Sequence, residues 1–227
     1  MSKAFPPARP HGEISEVFPD IFMVTGTMRF MPGFTIPRNM TIVRQGDELT
    51  LLNSVRLSPE GEAALERLGK VRHLVRLSSF HGLDDPYFRD RFKPTYWAPK
   101  GLDADRELSA TESPVGQVTV FAHTKQPEAA VLLSGEVLQC CDSFQNWLDA
   151  DLAACSWLGG VFMKRQGFRP ELIGPFWLKA MGREVERDFR VLTELPFRHA
   201  LSGHGTPVRD RAAEALRAEV ARTFVGG

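Results

Sequence analysis

Four times in this chain a short apolar run of strand character empties directly into a loop carrying histidine, aspartate or cysteine, and this recurrence constrains the fold most. The segments are Phe80-His81-Gly82-Leu83-Asp84-Asp85, Phe121-Ala122-His123-Thr124, Gln139-Cys140-Cys141-Asp142-Ser143 and Leu201-Ser202-Gly203-His204-Gly205. Side chains on loops past strand ends converge when the strands share a sheet edge, because such loops owe nothing to a ladder. Imidazoles and carboxylates gathered in this way suit a hydrolytic metal centre, where an open coordination position holds a water whose pKa falls toward about 7.

The segments around these loops mix strands and helices. Ile21 to Thr25, Met40 to Arg44 and Leu49 to Asn53 have the pattern of an antiparallel meander, with an apolar loop from Met28 to Pro37 and a Gly46-Asp47 turn between them. Ser58-Pro59-Glu60 opens a helix that runs to Leu68 and stops at Gly69, with Ser58 as its cap and Pro59 in its first turn. A buried strand at His73 to Leu77 follows, then a helix around Pro86 to Phe92 and strands at Thr95 to Ala98 and Gln117 to Ala122. Ala129 to Leu133 and Val137 to Cys141 form a hairpin about Ser134-Gly135-Glu136. The last third predicts an amphipathic helix from Trp177 to Phe189, a strand at His199 to Leu201 and a final helix from Arg209 to Phe224. This order fits a layered α/β domain over residues 16–227, preceded by a loose arm of residues 1–15 rich in proline.

Composition narrows the function classes. Lys plus Arg and Asp plus Glu stand at 28 each, so no global field draws in nucleic acid or an anionic membrane, and neither is expected as a partner. No apolar run reads as a signal peptide or a membrane span, which leads to the expectation of a cytoplasmic protein. The three cysteines, Cys140, Cys141 and Cys155, are odd in number and two are adjacent, so reduced, buried thiols are expected rather than a disulfide framework.

The order of the four loops, their strand context and the last three of them resemble the metallo-β-lactamase superfamily over roughly residues 18 to 222. In that family a third histidine precedes a hairpin whose far strand delivers a metal-bridging aspartate; His123 and Asp142 stand 19 residues apart around such a hairpin. The family's last histidine lies in a Gly-His-Gly turn before the final helix, as Gly203-His204-Gly205 does. The first loop departs from the family's His-x-His-x-Asp-His. With His81 aligned to the second histidine, Ser79, Leu83 and Asp84 fill the first histidine, aspartate and last histidine positions. A shift by one sets Asp84 and Asp85 in the final two places and displaces His81. Asn53-Ser54-Val55 stands where the family carries an Asp-Thr-Gly turn. The chain is similar in these respects to a divergent branch of metal-dependent hydrolases with a degenerate motif.

The resemblance implies a four-layer αββα sandwich of metallo-β-lactamase type and a metal-dependent hydrolase of a small molecule. The bond cut would be an ester, thioester, lactone or phosphodiester, and metal-bound hydroxide the nucleophile. His81, His123, Asp142 and His204 are the implied metal ligands, with Asp84 or Asp85 completing the coordination or acting as general base. One divalent ion, whether zinc, manganese or iron, is expected rather than two, because the ligand set is thinned. Phe30-Met31-Pro32-Gly33-Phe34 lies where family members carry a flap over the site, which favours an apolar or acyl substrate. Two alternatives stay open: a fold that has lost its metal and binds a ligand or partner, and an iron oxygenase or redox member suggested only by Cys140-Cys141.

Overall fold

The computed structural model describes residues 5–225. A seven-stranded sheet runs in sequence order: β1 (Ser15–Phe18), β2 (Ile21–Met31), β3 (Phe34–Gln45), β4 (Glu48–Leu52), β5 (Lys70–Val75), β6 (Thr95–Ala98) and β7 (Arg106–Glu107). Its first four strands pair antiparallel and its last four parallel. A second sheet contains β8 (Gln117–Val120), β9 (Ala129–Leu133), β10 (Val137–Gln139) and β13 (His199–Leu201) in the order β13-β10-β9-β8. Between these last two in the chain, β11 (Phe144–Gln145) and β12 (Leu172–Ile173) make a small ribbon.

Alternation along the strands sends side chains to both faces of each sheet, so each sheet needs two covers. Ile21, Val43, Leu52 and Val75 of the first sheet meet Val118, Val131, Val137 and Leu201 of the second in a shared core. The outer face of the first sheet packs Val24, Ile42 and Leu74 against Leu65 of α1 (Pro59–Leu68) and Phe88 of α2 (Asp85–Phe92). Two short helices, α3 (Asp149–Ala153) and α4 (Trp157–Arg165), lie beside the β2–β3 turn, where Ser156 between them donates to Gly33 O at 2.9 Å. The second sheet's outer face is covered by α5 (Pro175–Met181), α6 (Glu186–Thr193) and α7 (Ala212–Val220), through Trp177, Phe189, Leu192 and Leu216. These are the four layers of an αββα sandwich. All three cysteines are free and buried. No helix of the described residues is long and apolar enough to cross a membrane.

Three local expectations are corrected. Met28 to Pro37 is not a loop: β2 and β3 pair along their whole length, up to a tight turn at Gly33, whose φ of 80° suits glycine. The helix expected from Trp177 to Phe189 is two, since Gly182 adopts φ 90° and a short 3-10 turn, Arg183–Val185, re-aims the chain. The described part of the N-terminal arm, expected to be loose, is tied down. Gly12 N–H donates to Thr25 O at 2.8 Å, Thr27 N–H donates to Pro10 O at 3.1 Å, and His11 Nε2 accepts from Ser58 N–H at 2.8 Å.

Candidate metal centre

The register of the second sheet builds most of the site. β10 and β13 lie parallel and side by side, so the loops leaving them, with Asp142 and His204, emerge together. Gly203 N–H donates to Cys141 O at 3.0 Å and locks the two loops in step. His81 arrives from the other sheet, past the end of β5. The three side chains present ligand atoms that all lie within 4.8 Å of one another, and each is buried with a small face toward one cavity. His81 Nε2 stands 3.3 Å and His204 Nε2 3.2 Å from Asp142 carboxylate oxygens.

The hydrogen bonds around this trio fix the orientation of one ring. His204 Nδ1 lies 2.7 Å from the Pro37 carbonyl, which can only accept, so Nδ1 carries a proton and Nε2 is the nitrogen turned toward Asp142. Between that nitrogen and the carboxylate either a proton or a cation must lie. That donor chemistry fits a divalent ion held by two imidazole nitrogens and one carboxylate. Gln145 orients the carboxylate: its side-chain amide donates to Asp142 O at 2.9 Å and to Asp142 Oδ1 at 3.4 Å, while its own oxygen accepts from Trp147 Nε1 at 2.6 Å. The Trp147 ring in turn stacks on His204, planes 19° apart. Burial alone pushes the Asp142 carboxyl up, but His81 and His204 overcome it and hold the group well below the ordinary carboxylate range.

Close backbone approach completes the centre. A Cβ on Gly203 would stand 2.7 Å from His81 Cε1 and 3.0 Å from its Nε2, so only glycine lets this loop pass beneath the imidazole. Asn39 of β3 clamps the same loop, donating to Gly205 O at 2.7 Å and Ser202 O at 3.2 Å. Gly203→Ala is therefore expected to displace His81 and lower metal affinity by roughly tenfold or more, in the range typical of groups that orient ligands, with the fold retained. Calorimetric metal titration checks this; unchanged affinity would mean that the ring does not rest on this backbone.

The structure does not bring the other expected site residues to the trio. His123 follows β8, the far edge strand, and its Nδ1 is 3.0 Å from Asp188 Oδ1. Asp188, on α6, also accepts from the Ala122 and His123 backbone N–H groups at 2.8 and 2.9 Å, so this helix captures the whole turn. Asp84 pairs with Arg38 and accepts from Arg56 N–H at 2.8 Å. Asp85 accepts from Ser54 Oγ and Tyr96 Oη, each at 2.6 Å. Both carboxylates are committed away from the trio. Conversely, Gly203 was marked only as part of the Gly-His-Gly turn, and Asn39, Gln145 and Trp147 carried no sequence signal for the site. The same is true of Glu128, a carboxylate buried beside Asp142 and facing Ser78 and Trp177 without a well-formed hydrogen bond.

Over the trio lies a cavity of about 350 Å³, within the size range of small-molecule sites. Its walls are mostly apolar, with Met28, Phe30 and Ile36 from the β2–β3 ribbon and Trp147, Phe168 and Phe176; among the described residues Arg38 is the only basic one besides the two histidines. Phe30, Phe80 and Leu83 stay exposed at its rim, and Phe30 stacks on Phe176 with centroids 6.1 Å apart.

No family model matches the sequence, and no curated protein does. Solved structures match in shape. The DIM-1 metallo-β-lactamase is similar with a TM-score of 0.65 and 11% identity, over 94% of this chain and 99% of that one. A metallo-β-lactamase from Erythrobacter litoralis gives 0.61 and 14%, over 94% of each chain. FIM-1 from Pseudomonas aeruginosa, solved in a mono-zinc form, gives 0.61 and 12%, over 97% of this chain and 99% of that one. The chain has the metallo-β-lactamase fold.

Proposed function

We propose that this chain of metallo-β-lactamase fold is a metal-dependent hydrolase of a small, largely apolar molecule, working with a single divalent ion. The observation that carries the reading is the convergence of His204 Nε2, aimed by the Nδ1 bond to Pro37, and of His81 Nε2 on the buried Asp142 carboxylate. His81, Asp142 and His204 would hold the ion; its identity, zinc, manganese or iron, is open to this ligand set. Three protein ligands are the number found in catalytic sites that keep a position for water, and the bound ion would supply an activated water and polarise the bond to be cut.

The remaining chemistry belongs to the chain. Asp142 supplies the negative charge that two neutral imidazoles lack, and Gln145 keeps its carboxylate turned toward them. The aromatic walls exclude bulk water, which strengthens every charge interaction at the trio. They also favour a substrate with an acyl or aryl body. The bond itself is expected to be an ester, thioester or lactone, whose carbonyl oxygen can be polarised at the trio while the apolar body lies along the walls.

Protein purified without added metal or chelator should contain close to one equivalent of a divalent transition metal. It should hydrolyse aryl esters of medium-chain acids, and a chelator should abolish that turnover while leaving the fold intact. Absence of metal from such preparations, with none taken up on titration, overturns the reading in favour of a binding protein.

A further inference from the structure

A second cavity of about 120 Å³ adjoins the first, and Arg38 and Leu83 line both. Its other walls are the N-terminal arm from Phe5 to Pro7, Arg9, Thr27, Val55, Arg56, Asp84 and Tyr87. Three arginines, the exposed Arg9 and the more buried Arg38 and Arg56, thus line it with a single carboxylate. Arg38 is 4% exposed; one amino group pairs with Asp84, yet its Nε has no hydrogen-bond partner. Arg56 lies over the Tyr87 ring at 3.7 Å and donates to Pro6 O, and its Nε is likewise buried without a partner. Of the nearby acids, Asp85 has its oxygens taken by Ser54 and Tyr96, and Glu62 accepts from Tyr87 and Arg91.

Such an arrangement is costly as it stands. The Nε donors of Arg38 and Arg56 are buried without a partner, and like charges lining one pocket repel. An oxyanion in the cavity offsets the repulsion, since guanidinium N–H groups at its wall pair with carboxylate or phosphate oxygens. At roughly 30 Å³ per water-sized group the space admits about four heavy atoms, enough for a carboxylate or for the phosphorus and three oxygens of a phosphoryl group.

We propose that this second cavity is an oxyanion subsite, in which Arg9, Arg38 and Arg56 receive an anionic group of the molecule whose apolar body fills the chamber over His81, Asp142 and His204. The assignment of the ligand rests on that chamber being the substrate site. The anion-binding site itself does not.

The test uses the full chain stripped of metal, so that it is independent of turnover and of the metal content measured above. Phenylbutyrate and phenylbutanol share one apolar body and differ in their charge; binding is read by calorimetry. The carboxylate is expected to bind roughly tenfold tighter or more, a charge-assisted hydrogen bond being worth about 1.5–3 kcal/mol. Arg9→Gln/Arg56→Gln should erase that advantage while the alcohol binds as before, and Arg56→Lys should keep part of it. Inorganic phosphate, titrated alone, separates the sources: a substrate-borne anion gains from its apolar body, whereas a free anion binds as well without one and overturns the link to the substrate. Equal affinities of carboxylate and alcohol, or carboxylate affinity untouched in the double variant, overturn the subsite.

Discussion

Asp142→Asn is expected to abolish metal binding and hydrolytic turnover in a protein that remains folded, while Cys141→Ala beside it does neither. Asp142 is the only anionic member of the trio, with His81 and His204 nitrogens at 3.3 and 3.2 Å. Two neutral imidazoles cannot replace its charge, and an amide keeps its shape but not its affinity for a hard or borderline cation. Cys141 lies fully buried in the core between the sheets, does not line the cavity over the trio, and burial pushes its thiol up. Its loss leaves a small void, costing about 1–2 kcal/mol. Metal content and thermal melting of the two variants decide the matter. Metal retained by Asp142→Asn, or lost by Cys141→Ala, removes Asp142 from the centre.

Acidification is the complementary lever on the same residue. In the metal-free protein the carboxyl is held well below its ordinary range, so the folded state takes up its proton later than the unfolded one. Its stabilising contribution is therefore complete above the ordinary carboxylate pKa and is lost only as the pH falls below it.

How far the centre could be read from sequence depends on how local its causes are. Asp142 and His204 were legible because a strand that ends in a polar turn delivers its next side chains to the sheet edge. Parallel pairing of β10 with β13 then brings the two together. His123 satisfied the same local rule and still lies apart. What turns its loop is Asp188, 65 residues further on, whose carboxylate takes two backbone N–H groups and the ring nitrogen. No feature of Phe121 to Thr124 announces such a partner. The order of strands and helices was legible from periodicity, whereas the four layers came from the resemblance to the metallo-β-lactamase superfamily. The length of the β2–β3 ribbon was not, since Pro32, Gly33 and Pro37 read as loop punctuation, yet the sharp turn falls at Gly33 and Pro37 is carried within the strand. Likewise, the apolar period of Trp177 to Phe189 continues across Gly182, so only the backbone shows two helices. Arg38 and Glu128, isolated charges at the ends or middles of apolar runs, would ordinarily be placed on a solvated face.

Glu128 makes the second large effect. Burial first, and then the carboxylate of Asp142, push its carboxyl up to about 8 from an ordinary value of 4.5, and neither of its oxygens has a well-formed hydrogen bond. Between those two values the folded chain holds a proton that the unfolded chain has released. Metal-free protein must then lose stability as the pH rises through this window, by up to about 1.4 kcal/mol per pH unit. Glu128→Gln keeps the volume, cannot ionise, and offers an amide to the same buried neighbours. Its melting temperature in the presence of chelator is expected to exceed the parent's by a margin that grows from pH 5 to pH 8. A gain of 1 kcal/mol corresponds to about 2–4 °C in a chain of this size, so the difference is easily resolved. Glu128→Ala, which opens a void, should lie below Glu128→Gln at every pH and show the same absence of slope. Bound metal should shrink the parent's slope, because a cation at Asp142 offsets the like charge that raises Glu128. Parallel melting curves for parent and Glu128→Gln across the window would show that this buried carboxyl is already ionised at pH 5, and the unpaired acid beneath the centre would have to be abandoned.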